Sequence, residues 1–492
     1  MRKKYRSFHN HHRMNRFPPP CTTDMKFEEC ELAILRQAVD ENEQNAKKKI
    51  ANTDDVKNMI QIVEEFLVKT KCICYGGTAI NNILPEEAQF YDRDLEIPDY
   101  DFFSMTPVEH VKELADIFHE KGYADVEAKA GVHYGTYKLF VNFIPMADIT
   151  YLHKDIYVPL QKDAIRIHGV YYTPPNYLRM SMFLELSRPQ GDLSRWEKVL
   201  KRLTLLNQYY PLKSNQCHQI DFQRTLENSP DDSARLYYLV RDSFIEQRVV
   251  FFGGYATSLY ARHMPEAQQR LARSIPDFDV LCDNPMRCAT VIQQHLAENG
   301  FSHCKLIRHE AIGDVIPPHY QILVNADTIA FIYQPIACHN YNELRIEGRT
   351  IRVATIDTIL SFYLAFLYTN RKYFNHYKDR LLCMSQFLFD VEQHNRLSQN
   401  GLLKRFTMNC YGSQPTLETI RAEKSKKFQE LRDRPLNDPE KEAWFLKYNP
   451  VLKIEQKSSK DIRYNNKSVK KKRTPKKRTR KNTVHRKSDY FF

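Results

Sequence analysis

The order of apolar and polar positions along the chain repeats once. Apolar residues spaced by three or four indicate helices, whereas alternation or short apolar runs indicate strands. The first half predicts a helix, a strand, a helix, a strand, a helix and a β-ribbon at residues 54–70, 71–75, 78–84, 97–103, 107–121 and 135–151. From its first strand onwards, the second half predicts the same series at residues 248–252, 255–263, 276–281, 285–299, 303–308 and 319–333. Alternating strands and helices of this kind predict an α/β fold.

Short motifs recur in the same order as these elements. The matching pairs are Gly76 and Gly253, Asp99 and Asp277, Asp148 and Asp327, and Arg166 and Arg345, at offsets of 177, 178, 179 and 179 residues. Four ordered matches with so little drift indicate a duplicated domain. A chain of 492 residues also suits two domains better than one core. We predict a basic disordered arm at 1–25, a first domain at 26–213, a second domain at 214–412, a charged helical extension at 413–455 and a basic disordered tail at 456–492.

The net charge of +13 is concentrated at the two ends of the chain. Residues 456–492 hold 15 Lys and Arg against two Asp, and residues 1–16 hold six basic side chains and no acidic one. The body between the tails is therefore acidic, which excludes a protein whose core coats nucleic acid. The tails are expected to attract phosphate groups without sequence preference. A nuclear import signal in Lys470–Arg473 is the alternative.

Cysteine usage and hydropathy restrict the setting of the protein. Eleven cysteines, an odd number with no Cys-x-x-Cys pair, favour a reduced cytoplasmic or nuclear environment over a disulfide framework. No apolar run approaches the roughly 18 residues that a membrane-spanning helix needs. The sequence therefore predicts no membrane partner.

A glycine pair lies between a predicted strand and a predicted helix. Gly76 and Gly77 would leave backbone amides pointing into open space at the positive end of the helix, a geometry that suits a triphosphate. Thr78 adds a hydroxyl that we expect to reach a phosphate oxygen. Lys138 in the ribbon is a further candidate for a triphosphate contact, although a solvated lysine fits the pattern equally well. A glycine pair alone is weak evidence, because a tight turn uses the same residues.

Three carboxylates complete the candidate site. Asp99 and Asp101 are two residues apart on a predicted strand, so both project on the same side and can bind the same hard cations. Asp148, in an otherwise apolar segment of the ribbon, supplies a third carboxylate. Together they predict a site for two magnesium ions, one activating an attacking hydroxyl and one accompanying the triphosphate. Asp-x-Asp alone would more often be a turn or part of a calcium loop.

The glycine pair with Thr78, Asp99 and Asp101, and Asp148 resembles the signature of the polymerase-β-like nucleotidyltransferase superfamily. More closely, the chain resembles the catalytic poly(A) polymerases of the large cytoplasmic DNA viruses, the poxvirus, asfarvirus and giant-virus group. This resemblance extends over roughly residues 55–400 and is carried by residues 75–80, 97–104, 146–152, 182–189 and 195–198.

The resemblance implies two tandem nucleotidyltransferase-like domains and an enzyme that adds AMP from ATP to mRNA 3′ ends without a template. It implies Mg²⁺ or Mn²⁺ as cofactor, with the catalytic and metal-binding carboxylates at Asp99, Asp101 and Asp148 and the nucleotide-binding glycines at Gly76 and Gly77. It also implies RNA as partner and the host cytoplasm, with the virion as a second location. A homodimer and a viral processivity factor remain open alternatives.

The second copy is interpreted as degenerate. Tyr255 stands where the first copy has Thr78, so we expect a bulky ring at the phosphate-facing position. The remaining equivalents are retained, namely Gly253, Gly254, Asp277, Asp279 and Asp327. The family resemblance implies a degenerate second domain that supports the first and forms an RNA channel or interface. Two alternatives stay open for the whole chain: a catalytically silent RNA-binding subunit, and a nucleotidyltransferase acting on another acceptor, such as tRNA, a protein or a small molecule.

Overall fold

The computed structural model describes residues 21–451, apart from 23, 52, 92–96, 214–216, 218–229, 270–276, 326 and 370–377. Most of the predicted basic arm at 1–25 and all of the predicted tail at 456–492 lie outside the described residues. Within the described residues, no helix is both long enough and apolar enough to cross a membrane.

A mixed sheet of eight strands forms the centre of the first domain. Its strands lie side by side in the order β16, β3, β4, β5, β2, β1, β7, β6. Their ranges are β1 Ile73–Cys74, β2 Tyr100–Ser104, β3 Val126–Ala130, β4 Thr136–Val141, β5 Ile144–Tyr151, β6 Ile165–Ile167, β7 Val170–Tyr172 and β16 Lys447–Tyr448. Strands β2 and β5 run parallel next to each other, and the carboxylates predicted from the sequence lie on or beside these two strands.

The second domain contains another eight-stranded sheet, ordered β10, β11, β12, β9, β8, β14, β13, β15. Its strands are β8 Val250–Phe251, β9 Phe278–Leu281, β10 Cys304–His309, β11 His319–Val324, β12 Asp327–Tyr333, β13 His339–Ile346, β14 Arg349–Ala354 and β15 Cys410–Tyr411. Seven strands of each sheet follow the same order, β3-β4-β5-β2-β1-β7-β6 in the first and β10-β11-β12-β9-β8-β14-β13 in the second. The mixed α/β class is confirmed, and this shared order is the architecture expected from a duplication.

Helices flank both sheets. Those of the first half are α1 Phe27–Ala51, α2 Asp54–Thr70, α3 Gly76–Ile83, α4 Pro107–Glu120, α5 Lys154–Lys162, α6 Pro175–Leu186 and α7 Trp196–Tyr209. Those of the second half are α8 Pro230–Glu246, α9 Gly254–Tyr260, α10 Glu266–Gln269, α11 Pro285–Glu298, α12 Ile356–Phe366, α13 Lys378–His394, α14 Leu417–Leu431 and α15 Pro439–Phe445. Helix α2 shows why these segments fold locally. Thr53 caps its first turn by accepting from the Val56 amide, and it ends at Lys71, whose left-handed conformation stops the helix.

The two domains meet through equivalent helices. α6, which follows β7, packs on α12, which follows β14. Every residue of α12 is buried, as expected for a helix at the centre of two packed domains. Just after α6, the Ser187 carbonyl accepts a hydrogen bond of 2.9 Å from the Asn340 amide on β13. The segment at 182–189, which carries the strongest part of the family resemblance, therefore lies at the domain interface.

The C-terminal extension, together with the two residues of β15 just before it, joins both sheets. β15 pairs with β13 at one edge of the second sheet, and β16 pairs with β3 at the opposite edge of the first. Between these strands, Lys424 Nζ donates to the Gly131 carbonyl at 2.6 Å, and Lys112 and Glu442 form an ion pair of 2.7 Å. This segment covers the edge of β3, which would otherwise expose unpaired backbone groups.

Cysteine pairs depart from the sequence-based expectation. Cys21 with Cys30, Cys217 with Cys383, and Cys338 with Cys410 lie at bonding distance as disulfides. The expectation of thiols without a disulfide framework is therefore wrong for these six residues. Cysteine spacing did not indicate these pairs, since one of them joins residues 166 positions apart that only the fold brings together.

Candidate active site

The first domain brings its three predicted carboxylates to one place. In the parallel pairing of β2 with β5, Asp101 lies directly opposite Asp148. Asp99 precedes β2 by one residue and projects on the same side as Asp101 because strand side chains alternate. Tyr100, between them, points the other way and donates from its hydroxyl to Glu64 at 2.5 Å. The sheet thus separates an acidic face from a buried tyrosine beneath it.

The glycine pair begins α3 next to these carboxylates. The Tyr75 amide donates to the Asp101 carbonyl at 2.9 Å, which fixes the turn against β2. Gly76 adopts a φ of +71°, and a Cβ built on it would lie 2.6 Å from Asp101 Oδ2. No side chain caps the start of α3, so the first amides of this helix remain available to an anion. Gly76 and Gly77 therefore lie beside the carboxylates at a helix start without a side-chain cap, and their contact with a triphosphate stays a prediction.

Thr78 differs from its predicted role. Its hydroxyl donates to the Asp99 carbonyl at 2.6 Å, and the side chain is only 3% exposed. Expecting this hydroxyl to contact a phosphate is wrong in this structure, because its proton is committed to the backbone of the strand. Thr78 instead positions Asp99 relative to α3.

Lys138 contacts a carboxylate. It lies opposite Asp148 in the antiparallel pairing of β4 with β5, and its ammonium group forms an ion pair with Asp148. The predicted contact with a triphosphate stays a prediction, since Lys138 here balances the charge of Asp148. Spacing along the sequence did not indicate this pair, because Lys138 and Asp148 become neighbours only through the ribbon.

Burial and mutual repulsion shift the titration of the carboxylates. Burial, followed by the nearby charges of Asp99 and Asp148, raises the pKa of Asp101 to about 7. Burial and the charge of Asp148 also raise the pKa of Asp99. Arg195 and Lys198, near the start of α7, are close enough to Asp101 and Asp99, respectively, to oppose these shifts. Ionising these carboxylates is unfavourable because their negative charges are buried and repel one another. A bound cation would neutralise these charges, so the cluster favours cation binding.

A pH titration tests this repulsion. Because the folded-state pKa of Asp101 lies above its usual 3.8, ionising it opposes folding, and the stability it contributes at low pH is lost as pH rises toward 7. In the presence of EDTA, Asp101→Asn should therefore gain thermal stability relative to wild type between pH 4 and pH 8, with most of the change below about pH 7. Differential scanning fluorimetry of both proteins across this range is the measurement. A Tm difference that does not vary with pH would contradict the shift.

Asp101 and Gly76 make a second testable contact. Gly76→Ala should lower activity by roughly a hundredfold or more, because the added Cβ must displace the Asp101 carboxylate and also strains a left-handed residue. Gly122→Ala is the matched control. Gly122 has a φ of +99° with nothing within 4 Å of its Cβ position, so it carries the backbone strain alone.

Both glycine variants should lose about 1–2 kcal/mol of stability, and only Gly76→Ala should lose nucleotide addition. Chemical denaturation and a primer-extension assay on the same preparations separate the two effects. Equal activities would show that Gly76 is required only for the turn.

The second domain lacks the third carboxylate. In the pairing of β9 with β12, the residue opposite Asp279 is Phe331, whereas Asp101 faces Asp148 in the first domain. Asp327 starts β12, opposite Val324, and is therefore not the equivalent of Asp148. The predicted match is wrong because the β10–β11 connection, residues 310–318, is four residues longer than the β3–β4 connection, residues 131–135.

Its other carboxylates and amides are engaged internally. Asp277, 8% exposed, pairs with Arg380 of α13 at 3.1 Å. The Gly253 amide donates to the Asp279 carbonyl on β9 at 3.2 Å, and the Tyr255 amide donates to the Asp277 carbonyl just before β9 at 3.1 Å. These bonds remove both amides from an anion site. A Cβ on Gly254 would lie 2.5 Å from Asp277 Oδ1, so glycine is required here to leave room for the Asp277 carboxylate.

Tyr255 does not occupy a phosphate position. Its side chain is buried, with ring centroids 4.8 Å from Phe251 and 5.6 Å from Phe278. The expectation of a ring blocking the site is wrong, because the residue after the glycine pair points into the core in both copies. The sequence did not point to Phe331 and Arg380, which are the residues that distinguish the second copy from the first.

The cation-binding capacity of the first domain rests on electrostatics and strand register. Among the residues that the structure describes, no three His, Cys, Asp or Glu side chains are arranged to hold a metal ion. The raised pKa of Asp101 and its register opposite Asp148 nevertheless suit a divalent cation, for which carboxylate oxygens are the preferred ligands. Asp99, Asp101 and Asp148 are the residues that would hold it.

Comparisons with known proteins agree with this geometry. Residues 61–192 match the family model described as poly(A) polymerase catalytic subunit. The putative poly(A) polymerase catalytic subunit of African swine fever virus (strain Badajoz 1971 Vero-adapted) is 32% identical over 173 residues, which cover 34% of this chain and 36% of that protein. The protein of the same description from Acanthamoeba polyphaga mimivirus is 28% identical over 230 residues, covering 44% and 38%. The chain thus aligns with little more than a third of these relatives' length.

The fold is matched over a larger region. The crystal structure of the Megavirus polyadenylate synthase superposes with a TM-score of 0.74 at 18% sequence identity, covering 93% of both chains. The matched family region contains the glycine pair and all three carboxylates of the first domain. Residues 61–192 are therefore similar to the family described as poly(A) polymerase catalytic subunit, and the fold of the chain is similar to that of the Megavirus polyadenylate synthase.

Proposed function

We propose that the protein is a polynucleotide adenylyltransferase that adds AMP from ATP to the 3′ end of mRNA without a template. The observation that carries this proposal is the register of Asp101 opposite Asp148, beside a glycine pair whose helix start has no side-chain cap. An acidic cluster next to an anion-binding helix start suits the transfer of a nucleotidyl group from a triphosphate. The family match over residues 61–192 supports the same reaction.

Each group in the site has a role in this reaction. The amides that begin α3 bind the triphosphate, and Thr78 holds the Asp99 backbone in place. Asp99, Asp101 and Asp148 bind Mg²⁺ or Mn²⁺, and a bound pair of such ions would lower the pKa of the attacking 3′-hydroxyl and neutralise the triphosphate. Lys138 pairs with Asp148 in the protein alone, and its ammonium group would be available to the triphosphate if a cation were bound at Asp148.

The second domain is proposed to be a catalytically inactive support for the first. Phe331 replaces the third carboxylate, and Arg380 provides the positive charge at Asp277 from within the protein. α12 packs against α6, and α6 packs against α7, so the second domain holds α7 in position beside the carboxylates. A silent RNA-binding role for the entire chain is disfavoured by the intact first-domain site.

A nucleotide-addition assay tests the function. Purified protein is incubated with a labelled oligoribonucleotide and each NTP separately, with Mg²⁺ or with Mn²⁺. We expect ATP to support extension, and an oligodeoxyribonucleotide and a tRNA serve as alternative acceptors. No extension with any nucleotide would refute the enzymatic proposal, whereas extension of tRNA alone would change the acceptor.

The basic tail at residues 456–492, outside the described residues, is proposed to contact RNA through its 15 basic side chains. If about five touch RNA at once, they contribute roughly −3.5 to the slope of log K against log salt concentration. Deleting the tail should flatten this slope and lower RNA affinity, with little effect on single-nucleotide addition at saturating RNA. Fluorescence anisotropy with oligo(A) at several salt concentrations is the measurement. An unchanged slope would favour the import signal instead.

A further inference from the structure

An arginine from α7 lies directly over the glycine pair. A Cβ built on Gly77 would be 2.9 Å from Arg202 Nη1 and 2.3 Å from the Tyr91 hydroxyl. Gly77 is therefore the point at which α3 comes into close contact with a guanidinium group. The absence of a side chain there leaves room for this group beside the uncapped amides of the helix.

Aromatic side chains hold this guanidinium in place. Arg202 Nη2 donates to the Tyr91 hydroxyl at 2.6 Å, and the guanidinium carbon lies 5.0 Å and 5.5 Å from the ring centroids of Phe90 and Tyr91. Such contacts favour a planar guanidinium over a lysine ammonium. They leave most of the five N–H donors of the arginine directed elsewhere than at Tyr91.

The segment carrying these rings is fastened to the same helix that begins at the glycine pair. Asn81, on α3 and only 2% exposed, accepts from the Phe90 amide at 2.8 Å and from the Tyr91 amide at 2.9 Å with its side-chain oxygen. The start of α3 and the position of Arg202 are thereby linked through one buried amide. A shift of α3 would move both together.

Arg202 also completes a row of cations. Arg195 is the residue just before α7, and its spacing of three and then four residues to Lys198 and Arg202 follows one face of that helix. Arg195 and Lys198 act electrostatically on Asp101 and Asp99, and Arg202 lies at Gly77. The three cations therefore extend along the site from the carboxylates to the start of α3. Lys201 lies outside it, exposed and paired with Glu197 at 2.6 Å.

From this geometry we propose that Arg202 binds the triphosphate of the incoming nucleotide, and that Tyr91 and Asn81 are positioning residues that hold it over Gly77. The inference rests on the proposed function and adds a residue from outside the glycine and carboxylate motifs. A guanidinium binds phosphate oxygens in pairs, so Arg202 distinguishes a nucleoside triphosphate from a monophosphate by charge and geometry. The phosphates of RNA are the other source of the same chemistry.

Equilibrium binding to the full chain, without RNA, tests the proposal. ATP, AMP and inorganic pyrophosphate are titrated with Mg²⁺ into wild type, Arg202→Ala, Arg202→Lys, Tyr91→Phe and the control Lys201→Ala. We expect Arg202→Ala to weaken ATP and pyrophosphate roughly tenfold or more while AMP changes less than about twofold. Arg202→Lys and Tyr91→Phe should fall between Arg202→Ala and wild type, and Lys201→Ala should match wild type. Anisotropy with oligo(A) on the same proteins measures RNA affinity.

Three outcomes would overturn the proposal. Arg202 does not bind the triphosphate if the ATP affinity of Arg202→Ala is within twofold of the wild-type value. The same conclusion follows if the substitution weakens ATP and AMP binding equally. A loss confined to RNA would assign it to the RNA backbone. The result is separable from the proposed function, since wild type that binds ATP but extends no RNA would refute that function while leaving the Arg202 assignment standing. If wild type extends RNA but Arg202→Ala binds ATP as tightly as wild type does, the proposed function stands and the Arg202 assignment is refuted.

Discussion

Asp101→Ala should reduce AMP addition by about a thousandfold or more, because losing one carboxylate from the cation site removes about 4 kcal/mol of transition-state stabilisation. Asp99→Ala and Asp148→Ala should reduce AMP addition to a similar extent, since all three carboxylates are proposed to bind the same cations. Folding should survive, because burial raises the pKa of Asp101 and its ionised form opposes folding. Single-turnover extension with saturating ATP and RNA is the measurement.

The second domain supplies matched controls for this series. Asp279→Ala removes the register equivalent of Asp101, and Asp327→Ala removes the residue that only the sequence offset aligned with Asp148. Both should keep at least a tenth of the wild-type rate. Extension by Asp101→Ala within tenfold of wild type would refute the site. A severe loss in Asp279→Ala would instead show that the second domain holds an essential ion.

Arg380→Ala should destabilise the second domain by about 3–5 kcal/mol, because it leaves Asp277 buried without the arginine that balances its charge. The two side chains are 11% and 7% exposed, so water cannot replace the lost interaction. Both tryptophans, Trp196 and Trp444, lie outside the second domain, which makes intrinsic fluorescence a poor reporter. Hydrogen exchange in α13 and β9 is the suitable measurement.

A paired substitution distinguishes charge balance from packing. Arg380→Met with Asp277→Leu replaces the pair by apolar side chains and should recover most of the lost protection, as buried ion pairs often tolerate such exchange. Exchange rates in Arg380→Ala equal to those of wild type would contradict a buried pair. Activity at low temperature should persist in both variants, since neither residue belongs to the first-domain site.

The arrangement of the glycine pair and of Asp99 and Asp101 was predictable from the sequence because it depends on local structure. Gly76 and Gly77 needed only a strand-to-helix junction, and Asp99 and Asp101 needed only the alternation of one strand. Lys138 and Thr78 were harder, because their partners come from a neighbouring strand and from a backbone carbonyl. Arg202 was missed although its spacing from Arg195 and Lys198 is helical, since the place that α7 faces depends on tertiary packing.

The error over Asp327 has a physical cause. Offsets of 177 to 179 residues aligned Asp327 with Asp148, but four extra residues in the β10–β11 connection shift the following ribbon. The turn residues carried a usable signal. Asn142 and Asn325 both adopt positive φ in the two-residue turns of equivalent hairpins, and counting from them places Phe331, not Asp327, at the position of Asp148. A shift of four residues keeps the alternation of an apolar strand unchanged, so the hydrophobic pattern does not reveal the shift.

The overall order of elements was also predictable, except where strands are short or remote. The helices at 107–121 and 285–299 appear within one residue as Pro107–Glu120 and Pro285–Glu298. β15 has two residues just before the extension predicted at 413–455, and β16 has two residues within it. Both strands form only because an open sheet edge pairs with them. Two-residue strands carry no periodicity to detect.

The return of the C-terminal extension to the first sheet bears on how the protein matures during translation. Lys112 and Glu442 are separated by 330 residues, so at roughly 5–20 residues per second their contact forms about 15 to 65 s after α4 has been made. Throughout that interval the nascent first domain exposes the edge of β3, where strands of other chains can add. Completion of the first domain is thereby tied to synthesis of almost the whole chain, and a product terminated within the second domain would carry Asp99, Asp101 and Asp148 on an unprotected sheet.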